Sequence, residues 1–166
     1  ASATCIDAID TTDVASDTKF SILVPTAVGG EHNTTATVIF LDADQTTNPV
    51  EGANEIAIGI NSLSDAQIAA LIIKAINGTS HDNIDAASSG VGTAGVQGVT
   101  AAEGSSDTQI TLTLDYAGIA GNLTNAVTST VDGTHAIVDL RTFSGGRGGA
   151  IPILRGVLMA PSGVIL

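Results

Sequence analysis

The fold class is decided by residues 55–78, which read EIAIGINSLSDAQIAALIIKAING. The first part of this stretch alternates apolar and other residues with a period of two, which is typical of a half-buried β-strand over residues 55–60. The second part changes to helical spacing, and its apolar face is formed by Ile68, Leu71, Ile72, Ala75 and Ile76. The stretch therefore predicts one strand followed by one amphipathic helix.

Both ends of this helix carry capping signals. Ser64 followed by Gln67 is a capping box, in which Ser64 is the N-cap and the Gln67 side chain reaches back to it. Asn77 and Gly78 end the helix, and glycine suits the left-handed C′ position. The sequence predicts an amphipathic helix over about residues 64–77 that packs on one face of a sheet.

Strand signals lie on both sides of the helix. Residues 19–26 and 34–42 predict an antiparallel hairpin with a turn at residues 29–33. After the helix, residues 109–115 alternate strictly, and shorter strand-like runs are residues 96–101, 126–131 and 135–143. This order predicts an α+β fold, a mostly antiparallel β-sheet with one helix on one face.

The two ends of the chain differ from its middle. Residues 1–18 contain four aspartates with little periodicity, so we expect an acidic lead-in with at most a short helical turn. Residues 19–146 are predicted to form the α+β structural domain. Residues 147–166 begin with Arg-Gly-Gly, lack acids and are interrupted by Pro152, Gly156 and Pro161, which predicts a Gly-rich hinge and an extended C-terminal arm.

Composition limits the class of protein. Hydrophobic residues make up 43% and charged residues 13% of the 166 residues, whereas about 25% charged is typical of globular domains. Such a chain is too apolar to be disordered. A surface with so few charges favours a place inside an interface over dilute solution.

The charges are divided between two regions of the chain. The net charge is −12, and all 17 acids precede residue 141, whereas Arg141, Arg147 and Arg155 come after them without any acid. The acidity argues against a nucleic-acid partner and against a basic membrane-surface role. We expect the basic tail to bind the acidic body of a neighbouring copy; a chance placement of three arginines remains the alternative.

The sequence contains no complete metal-binding or catalytic motif. Residues 42–48 place oxygens at alternate positions as a Ca²⁺ loop does, but Thr47 and Ala53 stand where glycine and glutamate would be needed, so a solvated turn is favoured. Cys5 is alone, and the histidines (His32, His81 and His135) lack metal-ligand spacing. No stretch is apolar over the ~20 residues of a membrane span, and no signal peptide is predicted. We therefore predict no catalytic, cofactor-binding or metal-binding residue and no enzymatic activity.

One series of motifs has a familiar order. It consists of residues 52–60, the helix start at 64–71, residues 110–113, the Gly-x-x-Gly-Asn step at 117–122 and the Phe-Ser-Gly-Gly step at 143–146. Residues 20–146 thereby resemble a small domain of tailed-bacteriophage virion proteins, including tail sheath proteins of marine myoviruses and some fibre-like proteins. Residues 154–164 are similar to the sheath-type context. Because sheath subunits are usually much longer, the resemblance implies a fragment or a reduced relative.

The resemblance implies a structural subunit that assembles with copies of itself and with other virion proteins. Its location would be the virion, assembled in the bacterial host cytoplasm. The alternative is a fibre-like or adhesin-like domain that contacts a host surface.

The predicted assembly residues lie in or next to the C-terminal arm. We expect the arm to dock on a neighbouring subunit, for instance by adding a strand to an exposed sheet edge. The arm could instead fold back on its own sheet or begin a further domain. The assembly residues are Arg141, Arg147, Arg155, Ile151, Ile153, Leu154, Val157 and Leu158.

Overall fold

The structure is a computed structural model, and it describes residues 2–11, 14, 17–25, 34–47, 49, 55–85, 95–117, 122, 126–129 and 142–146. These residues contain two β-sheets and a single helix, which is the α+β class predicted from the sequence. In chain order the elements are β1 (Ser2–Asp10), β2 (Thr18–Pro25), β3 (Thr34–Asp42), β4 (Glu55–Gly59), α1 (Asp65–Ile76), β5 (Ile84–Asp85), β6 (Val99–Glu103), β7 (Gln109–Ala117) and β8 (Val127–Ser129).

The first sheet has three antiparallel strands in the order β1–β7–β6. Its central strand β7 buries Ile110, Leu112 and Leu114 completely, while the alternate threonines are half-buried. This is the period of two that predicted the strand. The pairing of β1 with β7 shifts register between Ser2 and Thr4 and again between Cys5 and Ile9.

The second sheet has five strands in the order β5–β4–β3–β2–β8. Strands β2 and β3 pair antiparallel from Thr18 opposite Leu41 to Pro25 opposite Thr34, which confirms the predicted pairing. Strands β3 and β4 are parallel, with Val38 opposite Glu55. A parallel pair needs a long crossover, and here residues 43–54 make the connection.

Strand β4 is buried on both sides, so the prediction of a half-buried strand is wrong. Ala57 and Gly59, expected on the exposed side, are both buried. A Cβ added at Gly59 would lie 2.5 Å from the carbonyl oxygen of Thr46. The crossover backbone therefore lies directly against the strand, and only glycine leaves room for it.

The helix has both predicted caps. The Ser64 backbone N–H donates to Gln67 Oε1 at 2.9 Å, and the Gln67 N–H donates to Ser64 Oγ at 3.4 Å, which completes the capping box. Gly78 has φ of +69°, and the N–H groups of Gly78 and Thr79 donate to the carbonyls of Ala75 and Lys74. These two bonds are the pattern of a Schellman C-cap.

Buried side chains of both sheets and of α1 form one hydrophobic cluster, which also includes Phe143. All five residues of the predicted apolar helix face are buried. The helix lies close to β4 of the second sheet and to β6 and β7 of the first.

The N-terminal stretch differs from the expectation. Instead of a lead-in with a short helical turn, residues 2–10 form β1, and its Cys5 and Ile9 are buried in the core cluster. The register shift between these two residues explains why the sequence shows no simple alternation there.

Other strand predictions hold with shifted ends. Strand β6 begins three residues later than the predicted run at 96–101, and β8 covers the middle of 126–131. The turn at 29–33 and most of the run at 135–143 lie outside the described residues. The division into residues 1–18, 19–146 and 147–166 stays a prediction.

Candidate assembly site

All eight predicted assembly residues (Arg141, Arg147, Arg155, Ile151, Ile153, Leu154, Val157 and Leu158) lie outside the described part of the chain. The structure does describe the segment directly before the predicted arm, residues 142–146. The candidate site is therefore built from this segment and the residues that hold it.

Asn122 holds Gly146 through two hydrogen bonds. Its Nδ2 donates to the Gly146 carbonyl oxygen at 3.0 Å, and the Gly146 N–H donates to Asn122 Oδ1 at 2.9 Å. We call such a side-chain amide, which donates to and accepts from the backbone of one residue, an amide bridge. It reproduces the two-bond exchange of a hydrogen-bonded antiparallel pair. Gly146 is buried, so the bridge satisfies two backbone groups that have little access to water.

The same segment pairs with the edge of β1. The Thr4 N–H donates to the Ser144 carbonyl at 2.8 Å, and the Ser144 N–H donates to the Thr4 carbonyl at 3.1 Å. Phe143 is fully buried. Three anchors thus fix residues 143–146: an aromatic side chain, a backbone pair and the amide bridge.

Gly145 gives the segment its backbone turn. Its φ is +83°, and a Cβ added there would meet nothing within 4 Å. Glycine is therefore favoured for its backbone freedom and not for a lack of space.

The amide bridge joins two motifs that are separate in the sequence. Asn122 ends the Gly-x-x-Gly-Asn step, and Gly146 ends the Phe-Ser-Gly-Gly step. Their order and spacing can be read along the chain, but nothing in either motif indicates that they touch. A local signal for the contact is absent, because the two residues are 24 positions apart.

Charge on the described surface is mostly negative. Lys19 Nζ lies 2.6 Å from Glu55 Oε1 and 4.8 Å from the centre of the Phe40 ring, so this lysine interacts across three neighbouring strands of the second sheet. Exposed carboxylates are carried by Asp17, Asp44, Asp82, Glu103, Asp107 and Asp115. A cationic partner segment would meet an acidic surface.

Carboxylate side chains in the candidate Ca²⁺ loop and next to it accept backbone N–H groups of the loop. Asp42 Oδ1 accepts the N–H groups of Asp44 and Gln45 at 3.0 and 3.2 Å, and Asp17 Oδ1 accepts that of Ala43 at 2.9 Å. These carboxylates order the turn after β3. Among the described residues, no group of three or more His, Cys, Asp or Glu side chains is placed to hold a metal ion.

The histidines and one pocket are further possible sites. His81 Nδ1 accepts the Asn83 N–H at 3.2 Å, whereas His32 and His135 lie outside the described residues. An open pocket of about 350 Å³ lies between the end of α1 and the start of β6. Within the part of the chain that the structure describes, no helix is long and apolar enough to cross a bilayer.

No protein-family model, curated protein or solved structure matches this chain.

Proposed function

We propose that this chain is a structural, non-enzymatic subunit of a tailed-bacteriophage virion, in the tail sheath or a related tail component, and that it assembles through contacts with its own copies and with other virion proteins. Its place would then be the virion, after assembly in the bacterial host cytoplasm. The observation that carries the proposal is the Asn122–Gly146 amide bridge, which joins two motifs of the resemblance at the point where the arm begins.

The anchoring of residues 143–146 supports a separate role for the arm. Phe143, the Thr4–Ser144 pair and the amide bridge hold the chain up to Gly146 against the first sheet. A segment that starts from a fixed point can reach a neighbour with a defined direction, which reduces the conformational entropy lost on binding. In this proposal residues 147–166 form an extended arm that docks on a neighbouring subunit.

The distribution of charge supports the same arrangement. The described body presents exposed carboxylates, whereas Arg141, Arg147 and Arg155 are the only charged residues after position 140. Opposite charges of this kind steer association and set its direction more than they strengthen it. The proposal also retains the expectation that α1 packs its apolar face on one face of a sheet. That face would then be buried within its own subunit, and the arm would make the contacts with other subunits.

Deletion of residues 147–166 tests the proposal. The shortened chain should keep its monomer fold, as measured by circular dichroism and a cooperative thermal transition, but should no longer form the assemblies of the full chain. A matched variant in which Arg141, Arg147 and Arg155 become Gln keeps the arm's length and removes its charge. It should assemble more slowly and with less dependence on salt. Loss of the monomer fold on deletion would contradict an exchanged arm.

The same deletion discriminates the fibre-like or adhesin-like alternative. A domain that binds a host surface should keep its fold and its binding without the arm. Retained adsorption to bacterial cells by the shortened chain, with no change in oligomeric state, would favour that alternative.

A further inference from the structure

A second amide bridge lies at the opposite edge of the first sheet. Asn77 Nδ2 donates to the Ala101 carbonyl oxygen at 2.9 Å, and the Ala101 N–H donates to Asn77 Oδ1 at 2.8 Å. Asn77 is the C-cap of α1, and its own N–H donates to the Ile73 carbonyl at 3.0 Å. The amide is therefore presented from the fixed end of a helix.

The bridged residue is on an edge strand. Strand β6 is the outer strand of the sheet order β1–β7–β6 within the described residues. The Asp115 N–H donates to the Gly98 carbonyl at 2.9 Å, and the Gly104 N–H donates to the Gln109 carbonyl at 2.7 Å. In an antiparallel pair the bonded positions alternate, so the even-numbered residues of β6 bond to β7 and the odd-numbered ones direct their backbone groups outward.

Asn77 occupies the centre of that outward edge. Both outward groups of Ala101 bond to its amide, and the N–H of Val99 donates to the Val96 carbonyl at 3.2 Å. Apart from the end of α1, which lies against β6, the strand has few of the usual protections. The strand reads VTAAE, without lysine or proline, its pairing with β7 has no register shift, and its one charge, Glu103, is at the end. Lysine, proline and bulges are the usual means of preventing edge-to-edge pairing.

We propose that Asn77 closes the β6 edge and thereby prevents a second copy of this chain from adding a strand there. The partner that the amide excludes is the same edge of another copy, because without Asn77 the outward groups of Ala101 would be unbonded, and a regular, nearly uncharged strand with unbonded backbone groups can pair with an identical strand. Association is then limited to other surfaces. The proposal does not depend on a virion function, since it concerns only this edge.

The test is Asn77→Ala in the full chain. Without the bridge, the Ala101 amide should exchange with solvent about tenfold faster, which corresponds to the loss of one or two net hydrogen bonds. In sedimentation velocity the variant should associate beyond the parent chain as concentration rises. Asn61→Ala is the matched control, because the Asn61 side chain makes two exposed bonds, one to the Asp44 carbonyl at 3.3 Å and one from the Ser62 hydroxyl at 2.7 Å, and neither involves β6.

A rescue variant separates edge opening from general destabilisation. Ala102 is exposed on β6, so Ala102→Lys places a charge on the opened edge without disturbing the core. Asn77→Ala combined with Ala102→Lys should return to the association state of the parent while the Ala101 amide stays fast. If general unfolding caused the association, the lysine would not reverse it, and that result would overturn the proposal.

Asn77→Asp covers the case in which the alanine variant fails to fold. Aspartate keeps an acceptor for the Ala101 N–H but removes the donor to its carbonyl, so association should be intermediate between parent and alanine variant. Fast Ala101 exchange in either variant without extra association would show that the open edge recruits no second copy and would also overturn the proposal. Unchanged exchange would do the same, because the bridge would then not protect the edge.

Discussion

Replacement of Asn122 by Ala should lower the free energy of unfolding by about 2 kcal/mol. The variant loses both bonds of the bridge to Gly146, and each intramolecular hydrogen bond contributes about 0.5–1.5 kcal/mol net. Gly146 is buried, so its N–H and carbonyl would be left with poor access to water. The expected loss of unfolding free energy is therefore larger than the loss of two exposed hydrogen bonds would cause.

Urea unfolding followed by circular dichroism measures this loss of free energy, and a thermal scan of the same signal measures the change in Tm. For a chain of this size each kcal/mol lowers Tm by roughly 2–4 °C, so a decrease of about 4–8 °C is expected. Hydrogen exchange at Ser144 should also become faster, because the Thr4–Ser144 pair lies two residues from the lost bridge.

Asn61→Ala is again the control. It also removes two hydrogen bonds, at 3.3 and 2.7 Å, but both are exposed, and surface changes of this kind stay within about ±0.5 kcal/mol. Equal losses in the two variants would contradict the expected role of the bridge, since it would then contribute no more than an ordinary surface contact.

Five further substitutions probe the helix and the segment before the predicted arm. Leu71→Ala should cost about 2–5 kcal/mol because Leu71 is buried, whereas Lys74→Ala should stay within about ±0.5 kcal/mol; urea titration compares them, and similar costs would mean that the helix face is wrong. Ser64→Ala should cost about 1 kcal/mol by loss of the N-cap, measured as a lower urea midpoint with an unchanged slope. Gly145→Ala should cost about 1–2 kcal/mol through its positive φ alone, measured by thermal unfolding. Gly145→Asn should cost less in the same measurement, because asparagine tolerates that conformation.

The sequence was sufficient where structure is set locally. The capping box, the glycine C-cap and the alternation of β7 depend on residues within a few positions of each other, and the β2–β3 pairing depends on two runs that follow one another in the sequence. The two-residue β5 carries too little sequence for any period to show.

Long-range features were not accessible in the same way. The alternation of β1 is interrupted by a register shift that depends on β7, more than ninety positions later in the chain. The parallel β3–β4 pair and the burial of both sides of β4 depend on the path of the crossover near Thr46.

The candidate site was only partly predictable. Its motifs could be recognised, but each amide bridge joins residues 24 positions apart. An asparagine at a helix end or after a strand has a sufficient local reason to be there, as a cap or a turn residue. Its distant backbone partner can therefore be found only from the fold.

Whether this chain is an assembling structural subunit can be decided by negative-stain electron microscopy of the full chain at high concentration and moderate salt, with sedimentation velocity on the same sample. We expect regular particles or oligomers built from repeated copies, because the arm of one copy would dock on the body of the next. A strictly monomeric protein under these conditions would mean that the chain is not such a subunit.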